Sequence, residues 1–122
     1  MEKLILIAGL LLGQLQVTSY RSVPNQTDDS PYHTSIGQRV HPHGVAVSRD
    51  LLKRWGGPLD YGDFIYIEGY GIKVVNDCMA ARHKRSIDMW VETYSEEKAI
   101  GVRKLKIYKL QKELYVKETK KS

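Results

Sequence analysis

The sequence predicts an all-β domain, a small barrel or sandwich of six short strands with one or two short helices. Two observations predict it. Short runs of β-branched and aromatic residues recur along the chain, and clusters of Gly, Asp, Asn and Pro separate them. Within several of these runs apolar and polar residues alternate, as they do in a strand with one buried face. No repeat at the period of a solenoid is present, so we do not expect a repeat architecture.

The strand pattern recurs six times and ends close to the C-terminus. The predicted strands fall on residues 17–20, 44–47, 64–68, 72–75, 87–91 and 103–108. Gly69 and Gly71 flank the turn between the third and fourth of them, and glycine tolerates the backbone angles that such a turn needs. We therefore expect these two strands to pair as a hairpin.

The segments between the strands predict turns and one long loop. Residues 49–54 form a predicted helical turn that Ser48 would cap, and residues 95–101 form another, acidic at its start and closed by Gly101. Residues 21–37 are polar and hold several turn-forming residues, so we expect a long loop there. Loops of this length in a small domain usually line a site or are disordered.

The chain of 122 residues begins with an apolar block from Leu4 to Gly13. A membrane-spanning helix needs about 20 apolar residues, so this block has the length of the apolar region of a signal peptide. We expect residues 1–13 to be a leader and the protein to be exported to the periplasm, the cell wall or the extracellular space. An uncleaved N-terminal anchor and a buried first strand of a cytosolic domain are the alternatives. About 105 residues follow, enough for one domain, and we expect no membrane span among them.

The net charge of the chain is +5, and a basic tail at residues 111–122 carries much of the excess. Such a tail is usually a solvated end, and contact with an anionic cell wall or membrane surface is the alternative. Basic and aromatic residues do not alternate on one strand face as stacking platforms require, so we do not expect a nucleic-acid partner. We expect the protein to be a monomer.

Metal and thiol chemistry find little support in the sequence. His41 and His43 flank a proline, and no further Cys or carboxylate is placed to complete a tetrahedral site. Cys78 is the only cysteine, so no internal disulfide can form, and the acid beside it raises rather than lowers a thiol pKa. We expect neither a metal nor a cofactor.

Two carboxylates, Asp77 and Asp88, are the best catalytic candidates in the sequence. Each lies in or at the end of its own apolar run, and the two are eleven residues apart. Strand alternation places Asp88 on the same face as Trp90. Two acids brought to one cleft are what general acid/base catalysis needs, whereas an Asp at a strand end more often caps a turn.

The order of segments from residue 17 to residue 110 resembles the 3D domain, a family named for three aspartates and found in MltA-type lytic transglycosylases and in small secreted bacterial cell-wall enzymes. The pieces that carry the resemblance are residues 17–20 (VTSY), 34–37 (TSIG), 44–47 (GVAV), 61–71 (YGDFIYIEGYG), 76–77 (ND), 87–88 (ID) and 99–103 (AIGVR). The resemblance implies a six-stranded double-psi β-barrel. It also implies that the three aspartates are Asp63, Asp77 and Asp88, with Asp88 the catalytic acid and base, Asp77 its neighbour and Asp63 structural.

The implied activity is cleavage of the glycan strands of peptidoglycan, which would be the partner of this domain. In a lytic transglycosylase the 6-hydroxyl of the muramic acid attacks, so one residue can serve first as acid and then as base. Hydrolysis by two carboxylates is the rival mechanism. A barrel that binds wall polysaccharide without cutting it is the rival from another functional class.

Four further residues are candidates for binding the substrate. Tyr70 and Trp90 would stack on sugar rings, although aromatics in a small domain are more often core residues. Thr34 would hydrogen-bond substrate, or it holds a turn. Many family members follow the second aspartate with Thr-Gly-Gly-Ala-Ile, where this chain has residues 78–82 (CMAAR) and so lacks the two glycines. Arg82 and the three residues that follow it would add a basic rim to the cleft, or they belong to a solvated loop.

Overall fold

The protein forms a closed barrel of six strands in a computed structural model that describes residues 9–21 and 43–111. The strands are β1 (Gly9–Tyr20), β2 (Gly44–Val47), β3 (Phe64–Ile67), β4 (Gly71–Cys78), β5 (Ser86–Trp90) and β6 (Arg103–Leu110), with one helix, α1 (Tyr94–Ile100). Around the barrel they follow the order β1-β5-β2-β4-β3-β6. The prediction of a six-stranded all-β barrel is confirmed.

Alternation within the strands builds the core, because every second side chain points into the barrel. Val17, Val45, Val75, Ile87 and Ile107 each come from a different strand, and all five are fully buried. The residues on either side of Ile107 are exposed or partly buried, and Asp88, which follows Ile87, is partly buried. The inward positions therefore hold the apolar side chains, and the outward positions are left to polar ones.

Non-local pairing closes the barrel. β1 pairs in parallel with β5 and β2 in parallel with β4, while β1–β6, β2–β5, β3–β4 and β3–β6 are antiparallel. The predicted hairpin is the antiparallel β3–β4 pair, and both Gly69 and Gly71 have the positive φ expected of its turn. The parallel β2–β4 pair and the antiparallel β2–β5 pair place β2 between β4 and β5, which determines the neighbours of the candidate acids.

The first strand begins earlier than the sequence pattern indicates. β1 starts at Gly9 and not at Val17, and its first residues pair with the end of β6, with Gly9 opposite Leu110. Residues 9–13 of the predicted leader thus lie in the barrel wall. Residues 1–8 and the tail from 112 onward lie outside the described residues.

The turns differ from the prediction in their caps. Residues 49–55 form two consecutive 3-10 turns, and Ser48 does not cap the first, because its Oγ accepts a hydrogen bond from the Ser86 N–H at 3.0 Å. α1 ends before Gly101 as predicted, but its cap is Thr93, which forms a capping box with Glu96. Among the described residues no helix is long and apolar enough to cross a membrane.

Candidate functional site

Four residues from four neighbouring strands form a row across the barrel wall. Asp88 of β5 lies opposite Thr18 of β1 on one side and opposite Ala46 of β2 on the other. Ala46 in turn lies opposite Asp77 of β4. Residues directly opposite each other in a sheet project from the same face, so all four side chains point outward from the barrel.

A β-bulge in β4 determines which residue joins this row. The register between β2 and β4 shifts between Val45 and Ala46, so that Val75 pairs with Val45 and the next pair joins Asp77 to Ala46. Asn76 is the extra residue, and its side chain is buried. A shift of one residue moves a side chain to the other face of a sheet, so the bulge is what places Asp77 outward.

The small side chain of Ala46 separates the two acids. Asp77 and Asp88 lie two strand spacings apart, about 9–10 Å between their Cα atoms. Ala46, whose side chain is a single methyl group, lies between them and is buried. The predicted pair is thus on one face of the barrel, with one strand between its members.

Asp88 has the environment of a proton donor. Burial raises its pKa from 3.8 to about 6; the hydrogen bond from Thr18 Oγ1 to Asp88 Oδ1, 2.8 Å long, opposes this rise, and the negative charges of Glu97 and Asp77 add to it. The larger of the two charge effects comes from Glu97. Asp77, the predicted neighbour of Asp88, therefore contributes to the raised pKa of Asp88 less than burial and Glu97 do.

Tyr20 lies near both acids. It is opposite Trp90 in the β1–β5 pair, two residues along each strand from Thr18 and Asp88. Burial raises the pKa of the Tyr20 phenol, and the charges of Asp77 and Asp88 raise it further. The phenol therefore keeps its proton across the physiological range and offers the site a neutral hydrogen-bond donor.

The helix α1 supplies the third carboxylate, Glu97. Its Oε1 accepts a hydrogen bond from Arg21 Nε at 2.7 Å, and the Arg21 guanidinium also lies 5.3 Å from the centre of the Tyr94 ring. Arg21 follows β1 directly, so these contacts fasten the end of β1 to α1. They hold Glu97 on the side of the barrel where Asp88 emerges.

Asp77 is held differently. Its Oδ1 accepts a hydrogen bond of 2.8 Å from the N–H of Cys78, and the residue is partly buried. Cys78 itself packs against the core, as expected for a small buried residue. Asp77 is thus oriented by the backbone at the end of β4.

A pocket of about 300 Å³ lies beyond Asp88 at the end of β5. Trp90 and Tyr70 both line it, together with Lys73 and the apolar residues Met89, Val91, Ala99 and Ile100. Glu92 and Glu96 complete its wall. Trp90 lies two residues from Asp88 on the same strand face, and none of the row of four residues lines the pocket itself. The structure thus brings two of the predicted substrate-binding residues together.

The other predicted site residues lie elsewhere. Arg82 is exposed in the loop after β4 and does not line the pocket, and Thr34 lies outside the described residues, as does His41. Asp63 is buried in the turn before β3, where its Oδ2 accepts a hydrogen bond from the Asp60 N–H at 2.8 Å. Within residues 9–21 and 43–111, no three His, Cys, Asp or Glu side chains are grouped to hold a metal ion.

Sequence reasoning missed Thr18, Tyr20, Glu97 and Lys73 as site residues. Alternation in residues 17–20 places Thr18 and Tyr20 on one strand face, and this pattern can be read from the sequence alone. Their proximity to Asp88 follows from the parallel β1–β5 pairing, which local sequence does not reveal. Comparison with protein-family models and with curated proteins gives no match for this chain.

Proposed function

We propose that this protein cleaves the glycan strands of peptidoglycan, as a lytic transglycosylase in which Asp88 is first the acid and then the base. The observation that carries the proposal is the outward row of Thr18, Asp88, Ala46 and Asp77, in which Asp88 has a pKa of about 6. The resemblance to the 3D domain supports the proposal, because Asp63, Asp77 and Asp88 all lie in segments that carry that resemblance.

The raised pKa supplies the proton that cleavage of a glycosidic bond needs. At pH 7 a carboxyl with a pKa of about 6 is protonated in roughly one molecule in ten, against fewer than about one in a thousand for an ordinary aspartate. Asp88 would donate this proton to the glycosidic oxygen as the bond to the anomeric carbon breaks. The resulting carboxylate would then accept the proton of the 6-hydroxyl as that oxygen attacks the anomeric carbon.

The neighbouring groups have supporting roles in this proposal. Asp77, across Ala46, would stabilise positive charge at the anomeric carbon, and the Tyr20 hydroxyl would donate a hydrogen bond to the substrate. Trp90 and Tyr70 would bind a sugar ring in the pocket, because sugar rings stack on aromatic faces. The export of the protein and its place in the cell wall belong to the same proposal.

The test is Asp88→Asn, with Asp77→Asn as its matched control. Asn keeps an oxygen that accepts the Thr18 hydrogen bond but cannot donate a carboxyl proton. We expect Asp88→Asn to lower the rate of glycan release from purified peptidoglycan by about 10² to 10⁴, the range for a general acid, and Asp77→Asn to lower it less. Mass spectrometry of the released fragments is expected to find 1,6-anhydro ends.

Three outcomes would count against the proposal in different ways. Reducing ends in place of anhydro ends would favour hydrolysis. An Asp88→Asn variant as active as the parent would remove Asp88 from catalysis. Binding of peptidoglycan with no release by the parent would favour a non-catalytic binding barrel.

A further inference from the structure

A second surface of the barrel is strongly basic and lies away from the pocket. Two segments form it: the 3-10 turns after β2, with Arg49, Lys53, Arg54 and Trp55, and the loop between β4 and β5, with Arg82, Lys84 and Arg85. We call it the basic surface. Arg85 directly precedes β5, whereas the pocket lies at the other end of that strand.

Hydrogen bonds join the two segments into one unit. The Arg85 N–H donates to both carboxylate oxygens of Asp50, at 3.1 and 3.3 Å, and the Gln16 N–H donates to the Arg85 carbonyl at 3.1 Å. Two further hydrogen bonds join Ser48 and Ser86: the Ser48 N–H donates to the Ser86 carbonyl at 2.9 Å, and the Ser86 N–H donates to the Ser48 Oγ at 3.0 Å. Arg85 has a φ of 46°, an unusual angle for a residue with a side chain, so these contacts fix its position against a backbone cost.

Trp55 organises the arginines on this surface. Its ring is 45% exposed, and the guanidinium carbons of Arg49 and Arg54 lie 5.3 and 5.1 Å from its centre. Such cation–π contacts hold two long side chains that would otherwise move freely in solvent. The charges are therefore held in place before any ligand binds.

The excess of positive charge on this surface favours an anionic partner. The two segments carry six basic side chains and one acidic side chain, Asp50. The formal excess of five equals the net charge of the whole chain. We propose that the basic surface binds an anionic polymer built from repeating phosphodiester groups without bases, of the teichoic acid type, a choice of polymer that rests on the export put forward under the proposed function.

The geometry favours such a polymer over a nucleic acid. Single-stranded nucleic acid binds by stacking bases on free aromatic faces, but two guanidinium groups already lie against the Trp55 ring. Duplex DNA is read by a helix or a β-ribbon inserted into the major groove, and this surface consists of 3-10 turns and a loop. A polymer of phosphodiester groups without bases needs only positive charges held in place, and Arg49 and Arg54 supply them.

The test measures binding of a fluorescent poly(glycerol phosphate) teichoic acid to the full chain. We expect affinity to fall steeply between about 50 and 200 mM salt, as it does when several phosphates are neutralised. Arg49→Glu/Arg54→Glu is expected to weaken binding at least about tenfold, because it replaces two positive charges with two negative ones. Arg49→Gln/Arg54→Gln, which removes the charges only, is expected to weaken binding by a smaller factor and guards against misfolding of the first variant.

The matched control is Lys98→Glu/Lys104→Glu, which changes the net charge equally at two exposed positions elsewhere. We expect this control to weaken binding less than about twofold. An equal loss in both charge-reversed variants would show attraction by net charge alone and overturn the proposal. So would unchanged binding by the Arg49/Arg54 variants, or tighter binding of single-stranded DNA carrying the same number of phosphates.

Discussion

Asp77 and Asp88 lie in the same row on the same face of the barrel, but the protein surrounds them differently. Asp88 is desolvated and faces Glu97, so its pKa rises to about 6 even though Thr18 donates a hydrogen bond to it. Asp77 accepts a backbone hydrogen bond at the end of β4. The difference teaches that the surroundings of an acid, more than the presence of a second acid, decide which of the two can donate a proton.

The largest expected effect concerns stability. Because the pKa of Asp88 is about 6 when folded and near 3.8 when unfolded, the folded state binds the extra proton between these values. Below about pH 4 the carboxyl is protonated in both states, so its burial does not change the free energy of unfolding. Above about pH 6 it is ionised in both states, and its burial lowers the free energy of unfolding by its full amount, about 2–3 kcal/mol. Asp88→Asn should be more stable than the parent by that amount at pH 8 and equally stable at pH 3.5. Urea unfolding at both pH values measures it.

The comparison of parent and variant cancels the titration of every other group. A variant less stable than the parent at pH 8 would mean that the ionised carboxylate is well stabilised where it lies. The assignment of Asp88 as the acid would then lose its physical basis.

A smaller effect distinguishes the neighbours of Asp88 from one another. Thr18→Val removes a hydrogen bond that favours the ionised carboxylate, so it should raise the Asp88 pKa by about one unit. Glu97→Gln removes a negative charge that favours the proton, so it should lower the pKa by less than about one unit. The pH at which glycan release declines should move in these opposite directions.

Glu92→Gln is the matched control for the second change. Glu92 lines the pocket, and its charge does not contribute to the raised pKa of Asp88, so its replacement should leave the pH profile unchanged. If Glu92→Gln and Glu97→Gln shift the profile equally, a general change of charge would explain both.

Local sequence predicted the strands, because alternation and turn residues report the structure of their own segment. It also predicted that Asp88 shares a face with Trp90, since both lie on one strand. It did not predict Ala46 between the acids, because that depends on β2 lying between β4 and β5. The place of Glu97 depends in the same way on how α1 folds back toward the end of β1.

The start of β1 shows a different limit. A run of apolar residues from Leu4 to Leu12 fits both a leader and a strand, since each requires little more than hydrophobicity. In the structure residues 9–13 belong to β1, and the pairing of Gly9 with Leu110 joins segments about a hundred residues apart. Local sequence could not predict the bulge at Asn76 either, because a bulge is defined by the register of β4 against β2.

The most direct test of the account is the titration of Asp88 itself. Carbon-13 NMR of the aspartate side-chain carboxyls, with Asp88→Asn to assign the resonance, follows its protonation from pH 3 to pH 9. The account predicts a midpoint of about 6 for Asp88. A midpoint near 4, the ordinary value for an aspartate in water, would contradict its role as the proton donor.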